Sequence, residues 1–587
     1  MTDLASAKWK ECLTSDSALM AEPGEQLSES HAKRPLEMAR TRLLVAGAVF
    51  TLCFSVLGMR LIGLAITEDD QIAHSTVKNQ TSAPSAARAD IFDRNGMLLA
   101  TNLPSVSLFV DQTKVLDAEA AAEKIRRVLP EFSHETLVRR IKGKARYVWV
   151  KRGLTPDQEY DINRLGLPGF AFEREERRVY PQGDLFAHAL GYTGVDNHGL
   201  SGIERGLDKT LTADTNSAPV TLSLDLRVQH VMAEELSRAI SDFGGIGGAG
   251  VVLDVNTGEI IAMVSLPTYD PNGKKPKVDP DQFNRVTKGL YELGSTFKAF
   301  TLAMALDYGV VDLDGGYDAS KPIRVSRFTI NDDHPQNRWL SVPEIFMHSS
   351  NIGAAKMALD VGATRQRAFL KKIGLLDPVK LEIPEVSEPL SPAPKDWRDL
   401  STMTIAFGHG VAVTPLHLVA GIAALVNGGV LRQPTLLKQP ASAVAPGIQV
   451  IKAETSEIMR RLLRLVVTDG TGKKAAAPGY LVGGKTGTAE KPSATGYRKK
   501  SLISTFVGAF PMNAPRYVVF AMIDEPKGNE STFGFATAGW TAAPLISRLI
   551  TRTAPLLGVE PVDEDAEPVR HQLMIEALSS RPKLASF

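Results

Sequence analysis

The first long apolar run in the chain extends from Leu43 to Met59 as LLVAGAVFTLCFSVLGM, without a charge. It continues past Arg60 through LIGLAI to Ile66. Together these stretches reach the roughly 20 residues a helix needs to cross a bilayer. Residues 43–66 are therefore expected to form one transmembrane anchor, with Arg60 snorkelling from near one end. Lys33, Arg34, Arg40 and Arg42 precede the span, and Glu68, Asp69 and Asp70 follow it. That charge bias places residues 1–42 inside as a polar cytoplasmic tail and the remainder outside. A cleaved signal peptide would have a shorter apolar core and a small-x-small cleavage site after it, and neither is present. Gly47, Thr51 and Ser55 recur every four residues. They make either a shallow face for a second helix or a plain lipid-facing stripe.

Beyond the anchor the pattern changes. QTSAPSAARAD (Gln80–Asp90) is a small-residue linker, and IFDRNGMLLA (Ile91–Ala100) reads as strand, turn and strand. Residues 101–220 mix short strands with helical stretches such as AEAAAEKIRRVL. RRVYPQGDLFAHALGYTG and GLSGIERGLD, rich in glycine and aromatics, suit a joint between domains. Near Val220 a new pattern begins. VTLSLDLRVQHVMAEELSRAI predicts a strand and an amphipathic helix, and GAGVVLDVNTGEIIAMVSLP predicts a hairpin about a turn-forming string. Helical stretches are expected to fill roughly residues 295–425. YLVGGKTGTAE, SLISTFVGAFP and RYVVFAMIDEP then read as three further strands. Strands flanking a helical insert predict an α+β architecture, an antiparallel sheet packed against helices. The expected divisions are a mixed α/β pedestal over 67–220, a main domain over 221–550, and a tail over 551–587. In that tail HQLMIEALSSR suits a short helix.

Composition narrows the function. The chain has 67 Lys and Arg against 66 Asp and Glu, a formal net charge of +1, which gives no electrostatic case for a nucleic-acid partner. Its two cysteines, Cys12 and Cys53, cannot staple the large outer region, and they do not form a metal site.

Three short strings then stand out in order: Ser295-Thr296-Phe297-Lys298, Ser349-Ser350-Asn351 and Lys485-Thr486-Gly487-Thr488. Each alone is weak, since an N-cap serine, a helix cap and a glycine-rich turn explain them separately. In the first, Gly294 precedes Ser295 and a markedly apolar helix follows, so Ser295 and Lys298 share one helix face near its start. A serine hydroxyl needs a base to become a nucleophile. A lysine serves only when burial or nearby cations lower its pKa, and Lys485 is a candidate cation. Ser349 and Asn351, two residues apart in a turn, can point into one cleft, the hydroxyl relaying a proton and the amide holding a peptide backbone. Lys485–Thr488 reads as an edge strand beside the cleft. There Gly487 is expected to let a substrate backbone approach, and an extended peptide can add to the edge. The cation and hydroxyls suit a carboxylate, and the N–H groups of Thr488 and Ser295 suit an oxyanion hole.

S-x-x-K, S-x-N and K-T-G in this order resemble the signature of penicillin-binding proteins and serine β-lactamases. RADIFDRNGMLLA resembles the entry motif of class B penicillin-binding proteins, with Ala89 where glycine is usual. RRVYPQGDLFAHALGYTG and GLSGIE resemble the pedestal motifs of that class. GHGVAVTPLHL resembles its segment between the second and third motifs, with His409 where tyrosine is frequent, and Leu293 stands where many members carry proline. The resemblance covers roughly residues 43–550. It implies a penicillin-binding-protein transpeptidase fold and a bacterial inner-membrane enzyme, with a cytoplasmic N-terminus and a periplasmic catalytic domain. Ser295 would attack the penultimate D-alanine of a peptidoglycan stem, with Lys298 as base and Ser349 as relay. Asn351 would hold substrate, and Lys485, Thr486, Gly487 and Thr488 would form the carboxylate and oxyanion side. β-Lactams would acylate the same serine, and no metal or organic cofactor is implied. The segment after the anchor is too short for a glycosyltransferase domain plus a pedestal. Length and the lack of added C-terminal modules resemble the septal type, implying a membrane-embedded glycan polymerase and other division proteins as partners. A hydrolase sharing the motifs, or a scaffold with a decayed site, are the rival readings. The first lacks an identifiable base for deacylating water, and the second is opposed by intact Ser295, Lys298 and Lys485.

Overall fold

A computed structural model describes residues 47–59, 88–213, 218–273, 280–325, 328–440, 442, 444–493 and 496–575. The chain divides into two compact units, Met1–Ala83 and Pro84–Phe587. In the first, residues 47–59 are helical and, apart from Gly58, exposed, and the Thr51 hydroxyl donates to the Gly47 carbonyl at 2.8 Å. Among the described residues no helix is long and apolar enough to cross a membrane. Residues 43–46 and 60–66 of the expected span lie outside the described residues, as does Cys12.

The second unit opens with a small lobe. Its strands are β1 (Ile91–Phe92), β2 (Leu98–Val110), β3 (Val148–Leu154), β4 (Phe170–Val179) and β5 (Val220–Thr221). They run β3-β2-β1-β5, with β4 pairing along β2. The β1–β2 turn is held by Asp93, whose carboxylate accepts from the N–H groups of Asn95 and Met97, both at 2.8 Å. Helices α1 (Ala118–Val128), α2 (His134–Ile141) and α3 (Pro156–Arg164) begin at side-chain caps from Asp117, Ser133 and Thr155. They bury Ala122, Ile125, Leu137, Ile141 and Ile162 against Leu108, Val110 and Val150 of the sheet.

The main lobe is built on a five-stranded antiparallel sheet. Its strands are β6 (Gly247–Asp254), β7 (Ile260–Leu266), β8 (Gly483–Ser493), β9 (Gly496–Phe510) and β10 (Tyr517–Asp524), in the order β8-β9-β10-β6-β7. Strands β6 and β10 are buried at every residue, because helices cover both faces. On one face lie α4 (Leu226–Asp242) and α9 (Ala542–Thr553); on the other lie α5 (Lys298–Asp307), α7 (Pro415–Val426) and α8 (Ala453–Thr468). Helix α7 is buried along its whole length, as its unbroken apolar sequence requires. Strand β8 pairs only with β9 and so forms an edge.

The expected α+β architecture, a sheet flanked by helices on a mixed α/β lobe, is observed. Four details differ. The stretch expected to be helical contains short strands at Gly316–Asp318, Ile323–Val325, Phe328–Ile330 and Trp339–Ser341. Turn-forming residues there interrupt any helical period, and the short apolar pieces pair locally. Tyr480–Val482 precede β8 rather than belong to it, and β8 and β9 extend into a long hairpin through KPS and GYRKK, which carry no alternating pattern. The boundary expected at residue 550 falls inside α9, and Ala554, Leu557, Val559 and Leu573 beyond it are buried. Of HQLMIEALSSR, His571–Leu573 close a helix that begins earlier, at Glu567, where proline at the second position favours a helix start, and residues 576–581 of the string lie outside the described residues. Residues 576–587 lie outside the described residues.

A buried ionic cluster within the small lobe lies beside the main lobe, to which the Gly202 N–H donates at Glu385, 3.1 Å away. Arg88 pairs with Glu204 and, at 2.7 Å, with Asp208; Arg178 pairs with Glu204 at 2.7 Å. Arg88 and Glu204 are fully buried. Arg178, Glu204 and Asp208 lie in the glycine- and aromatic-rich segments whose sequence suggested a joint, and Arg88 lies in the small-residue linker before β1. The parallel pairing of β1 with β5 closes it, and one apolar cluster runs from Ile91, Leu99 and Ile203 into the main core.

Candidate active site

The segment Gly294–Phe297 forms a single 3-10 turn that runs directly into α5 at Lys298. Gly294 has φ +54, and a Cβ on it would lie 2.7 Å from the Thr488 carbonyl. Only glycine lets this turn press against strand β8. Ser295 is thus half-buried at the turn, beside the sheet edge.

Lys298 is wholly buried. Its Nζ lies 2.9 Å from Ser295 Oγ and 3.0 Å from Ser349 Oγ, and it donates to the Ser349 carbonyl at 2.6 Å and to Asn351 Oδ1 at 2.7 Å. Burial lowers its pKa to about 7, while the carboxylates of Asp333 and Asp332 oppose the shift. The cation expected to help from Lys485 does not set this value. Lys485 is itself pushed well below the ordinary lysine range, by burial first and by Lys298 second. The two lysines are joined through Ser349, whose Oγ is 3.0 Å from each Nζ.

Ser349 sits at φ +60, a left-handed backbone that a serine seldom adopts. Its neighbours hold it there. Ser350 caps helix α6 (Asn351–Val361), accepting from Gly353 N–H at 3.0 Å and donating to Asp332 at 2.7 Å. The other oxygen of Asp332 accepts from Ile352 N–H at 2.9 Å. Asn351 donates from Nδ2 to the Asn331 carbonyl at 2.8 Å.

On β8, Lys485 is fully buried, with its Nζ 5.9 Å from the Phe346 ring centroid. The Thr486 hydroxyl shares a 2.7 Å hydrogen bond with that of Thr471, and the Thr488 hydroxyl accepts from Ala538 N–H at 3.1 Å. Gly487 packs against the segment that carries the nucleophile. A Cβ there would lie 2.5 Å from Thr505 Oγ1, 2.6 Å from the Leu293 carbonyl and 2.7 Å from Thr296 Cγ2. Its missing side chain makes room for the nucleophile's own turn.

All eight residues singled out from the sequence are therefore brought together where the Ser295 turn, the start of α6 and strand β8 meet. Asp332, Thr471 and Glu292 were not singled out. Glu292 accepts from Gly410 N–H at 3.0 Å and from the Tyr497 hydroxyl at 2.9 Å, tying the β8–β9 hairpin to the segment before Ser295. The Asp332-Asp333 pair was the one available signal, and nothing in its spacing points to Ser350, 18 residues on.

A buried lysine between two serines, facing a lysine on an edge strand, is the arrangement of an acyl-serine enzyme. The chain belongs to the class B penicillin-binding proteins. Residues 248–547 match the penicillin-binding protein transpeptidase domain, and residues 83–235 match the penicillin-binding protein dimerisation domain. The chain is 38% identical over 543 residues to the probable peptidoglycan D,D-transpeptidase FtsI of Caulobacter vibrioides, covering 90% of each chain. It is 31% identical to the probable peptidoglycan D,D-transpeptidase PenA of Neisseria gonorrhoeae, covering 88% of this chain and 93% of that one. In fold it is similar to penicillin-binding protein 3 of Mycobacterium tuberculosis in complex with aztreonam, with a TM-score of 0.65 and 24% identity, over 84% of this chain and 99% of that one.

Proposed function

We infer that this protein is a serine-type peptidoglycan D,D-transpeptidase that cross-links cell-wall stems at division and is acylated by β-lactams. The observation that carries the chemistry is the 2.9 Å approach of Ser295 Oγ to a buried Lys298 whose pKa is lowered to about 7. A neutral amine at that distance accepts the serine proton, and at neutral pH a large share of Lys298 is in that form.

Ser295 Oγ attacks the carbonyl carbon of the penultimate D-alanine while its proton passes to Lys298. The N–H groups of Ser295 and Thr488 receive the developing oxyanion. The proton then travels through Ser349 to the departing nitrogen, the C–N bond breaks, and an acyl-serine ester remains. Lys485, Thr486 and Thr488 take the terminal carboxylate, and Asn351 holds the stem backbone. In the second half, an amine from another stem attacks the ester carbon. Its proton returns through Lys298 to Ser295 Oγ, leaving an amide cross-link and a free serine.

The segment 43–66 anchors the protein in the inner membrane with its N-terminus in the cytoplasm and its lobes in the periplasm. Residues 67–220 are the pedestal and 221 onward the transpeptidase domain. Its partners are a membrane-embedded glycan polymerase and other division proteins, and the face of Gly47, Thr51 and Ser55 is a candidate contact. The charge bias about the span supports the orientation, and 38% identity over 90% of each chain to a relative named FtsI supports the septal role.

The test uses a fluorescent penicillin, mass spectrometry of the modified peptide, and timing of release. A stable adduct on Ser295 is expected. Rapid turnover would point to a hydrolase, and an adduct elsewhere would overturn the assignment of the nucleophile.

A further inference from the structure

In the small lobe the segment Arg139–Tyr147, RRIKGKARY, places five cations in nine residues with no acidic residue among them. It leaves the last turn of α2 and leads into β3. Arg140 is used within the lobe: its guanidinium donates to the Val150 carbonyl at 2.5 Å and lies 4.9 Å over the Phe132 ring. Arg139, Lys142, Lys144 and Arg146 are exposed, and no ion pair joins them to another described residue. Other cations of the lobe are paired, Lys151 with Glu131 at 2.5 Å, Arg126 with Glu123 at 3.3 Å and Arg152 with Asp196 at 3.4 Å. Like charges crowded without counter-ions repel one another and are stabilised by an anion brought to them.

The loop is built to a fixed shape. The Gln112 amide donates to the Arg140 carbonyl at 2.8 Å and accepts from the Ala145 N–H at 2.9 Å, and the Gln112 backbone N–H donates to the Ala145 carbonyl at 2.9 Å. A Cβ on Gly143 would lie 2.1 Å from the Gln112 amide oxygen, so glycine lets the loop close on this clamp. Tyr147 ends the segment, 46% exposed, with its ring stacked on Phe109 at 4.6 Å and edge-on to Trp149 at 5.0 Å. A basic tip flanked by tyrosine and tryptophan suits the surface of an anionic bilayer, where the cations meet headgroups and the amphipathic rings favour the interface.

We propose that the loop Arg139–Tyr147 docks the small lobe on anionic lipid headgroups of the membrane in which residues 43–66 are anchored. The proposal rests on the anchor reading above. Residues 67–87 join that span to the small lobe, and a stretch of this length reaches at most about 75 Å when fully extended. The bilayer is therefore always within range of the loop, and a contact that would be weak between separate molecules becomes intramolecular. A free polyanion has no such tether. The contact is electrostatic and shallow, because the Tyr147 hydroxyl is held by Glu173 and the ring by Phe109. Docking of this tip restrains the tethered lobe at the membrane surface.

The experiment reconstitutes the full-length protein in vesicles, with Cys12→Ser and Cys53→Ser to clear the native thiols and Ala145→Cys to carry a fluorophore on the loop. Quenching by lipid labelled at the headgroup reads the docked fraction. In phosphatidylcholine vesicles containing phosphatidylglycerol the loop should be quenched, and in pure phosphatidylcholine it should not. High salt should remove the effect. Lys142→Gln and Lys144→Gln should each lower the docked-to-free ratio about fivefold, and their effects should multiply. Both variants should still take a penicillin adduct on Ser295, which shows that they fold. Equal quenching in neutral and anionic vesicles, or none in either, would overturn the proposal. So would a fluorophore response to added un-cross-linked glycan strands but not to anionic lipid, which would make the loop a surface for that polymer. If the labelled chain washed off the vesicles in alkaline carbonate, the anchor reading would fall, and this proposal with it.

Discussion

The molecule buries positive charge in two places and uses it in opposite ways. At the joint in the small lobe, beside the main one, Arg88 and Arg178 meet Glu204 and Asp208 as ion pairs. At the cleft, Lys298 and Lys485 are equally buried, but their partners are hydroxyls, carbonyls and an amide, with no carboxylate in bonding contact. The first arrangement keeps each charge and fixes geometry. The second makes the charged state costly, so the lysines move toward neutrality and become able to exchange protons. Chemistry at this site follows from withholding the counter-ion that the joint supplies. Asp332 and Asp333 lie close enough to favour the cation on Lys298 without pairing with it.

Substitutions at each place should separate the two roles. The largest effect belongs to Ser295→Ala, which should abolish covalent penicillin labelling while leaving the denaturant midpoint unchanged. Labelling of that variant would break the assignment. Lys298→Ala should slow acylation by about 10²–10⁴-fold, the usual contribution of a positioned base, as read by stopped-flow with a chromogenic β-lactam. Glu204→Ala, at the joint, should cost about 3–5 kcal/mol of stability by leaving two buried arginines short of a partner. The folded fraction should still label on Ser295. If acylation fell while stability held, the joint would have to be counted with the chemistry. Asp332→Ala should slow acylation by about tenfold and cost about 1–2 kcal/mol, since it releases the Ser350 hydroxyl and an N–H of the helix start. The smallest effect is on pH. Below its pKa Lys298 is protonated and cannot accept the serine proton, so acylation should rise with pH through an apparent value of about 7. A flat profile from pH 6 to 8 would argue against lysine as the base.

Legibility in the sequence followed the range of the interactions. The hairpin at Gly247–Leu266 and the turn at Asp93 were readable, because short side chains bond to their own backbone two to four residues on. Ser295 and Lys298 were readable together because one helical turn brings them to one face. The strands between Gly316 and Ser341 were not, since each is only three residues long and gains its pairing from neighbours rather than from its own pattern.

The sequence by itself determined the three motifs, their order, the apolar run over residues 43–66 and the change of pattern near Val220, since these depend on residue type and short spacing. Only the tertiary structure decided which charges are neutral. The pKa of Lys298 depends on burial by α5 and its neighbours, the place of Ser349 on a left-handed residue held by Asp332, and the duty of Gly487 on Leu293 and Thr505 packing across it. These are contacts between segments tens to hundreds of residues apart. Their energies come from exclusion of water and fixed distances, and neither exists until the chain has folded.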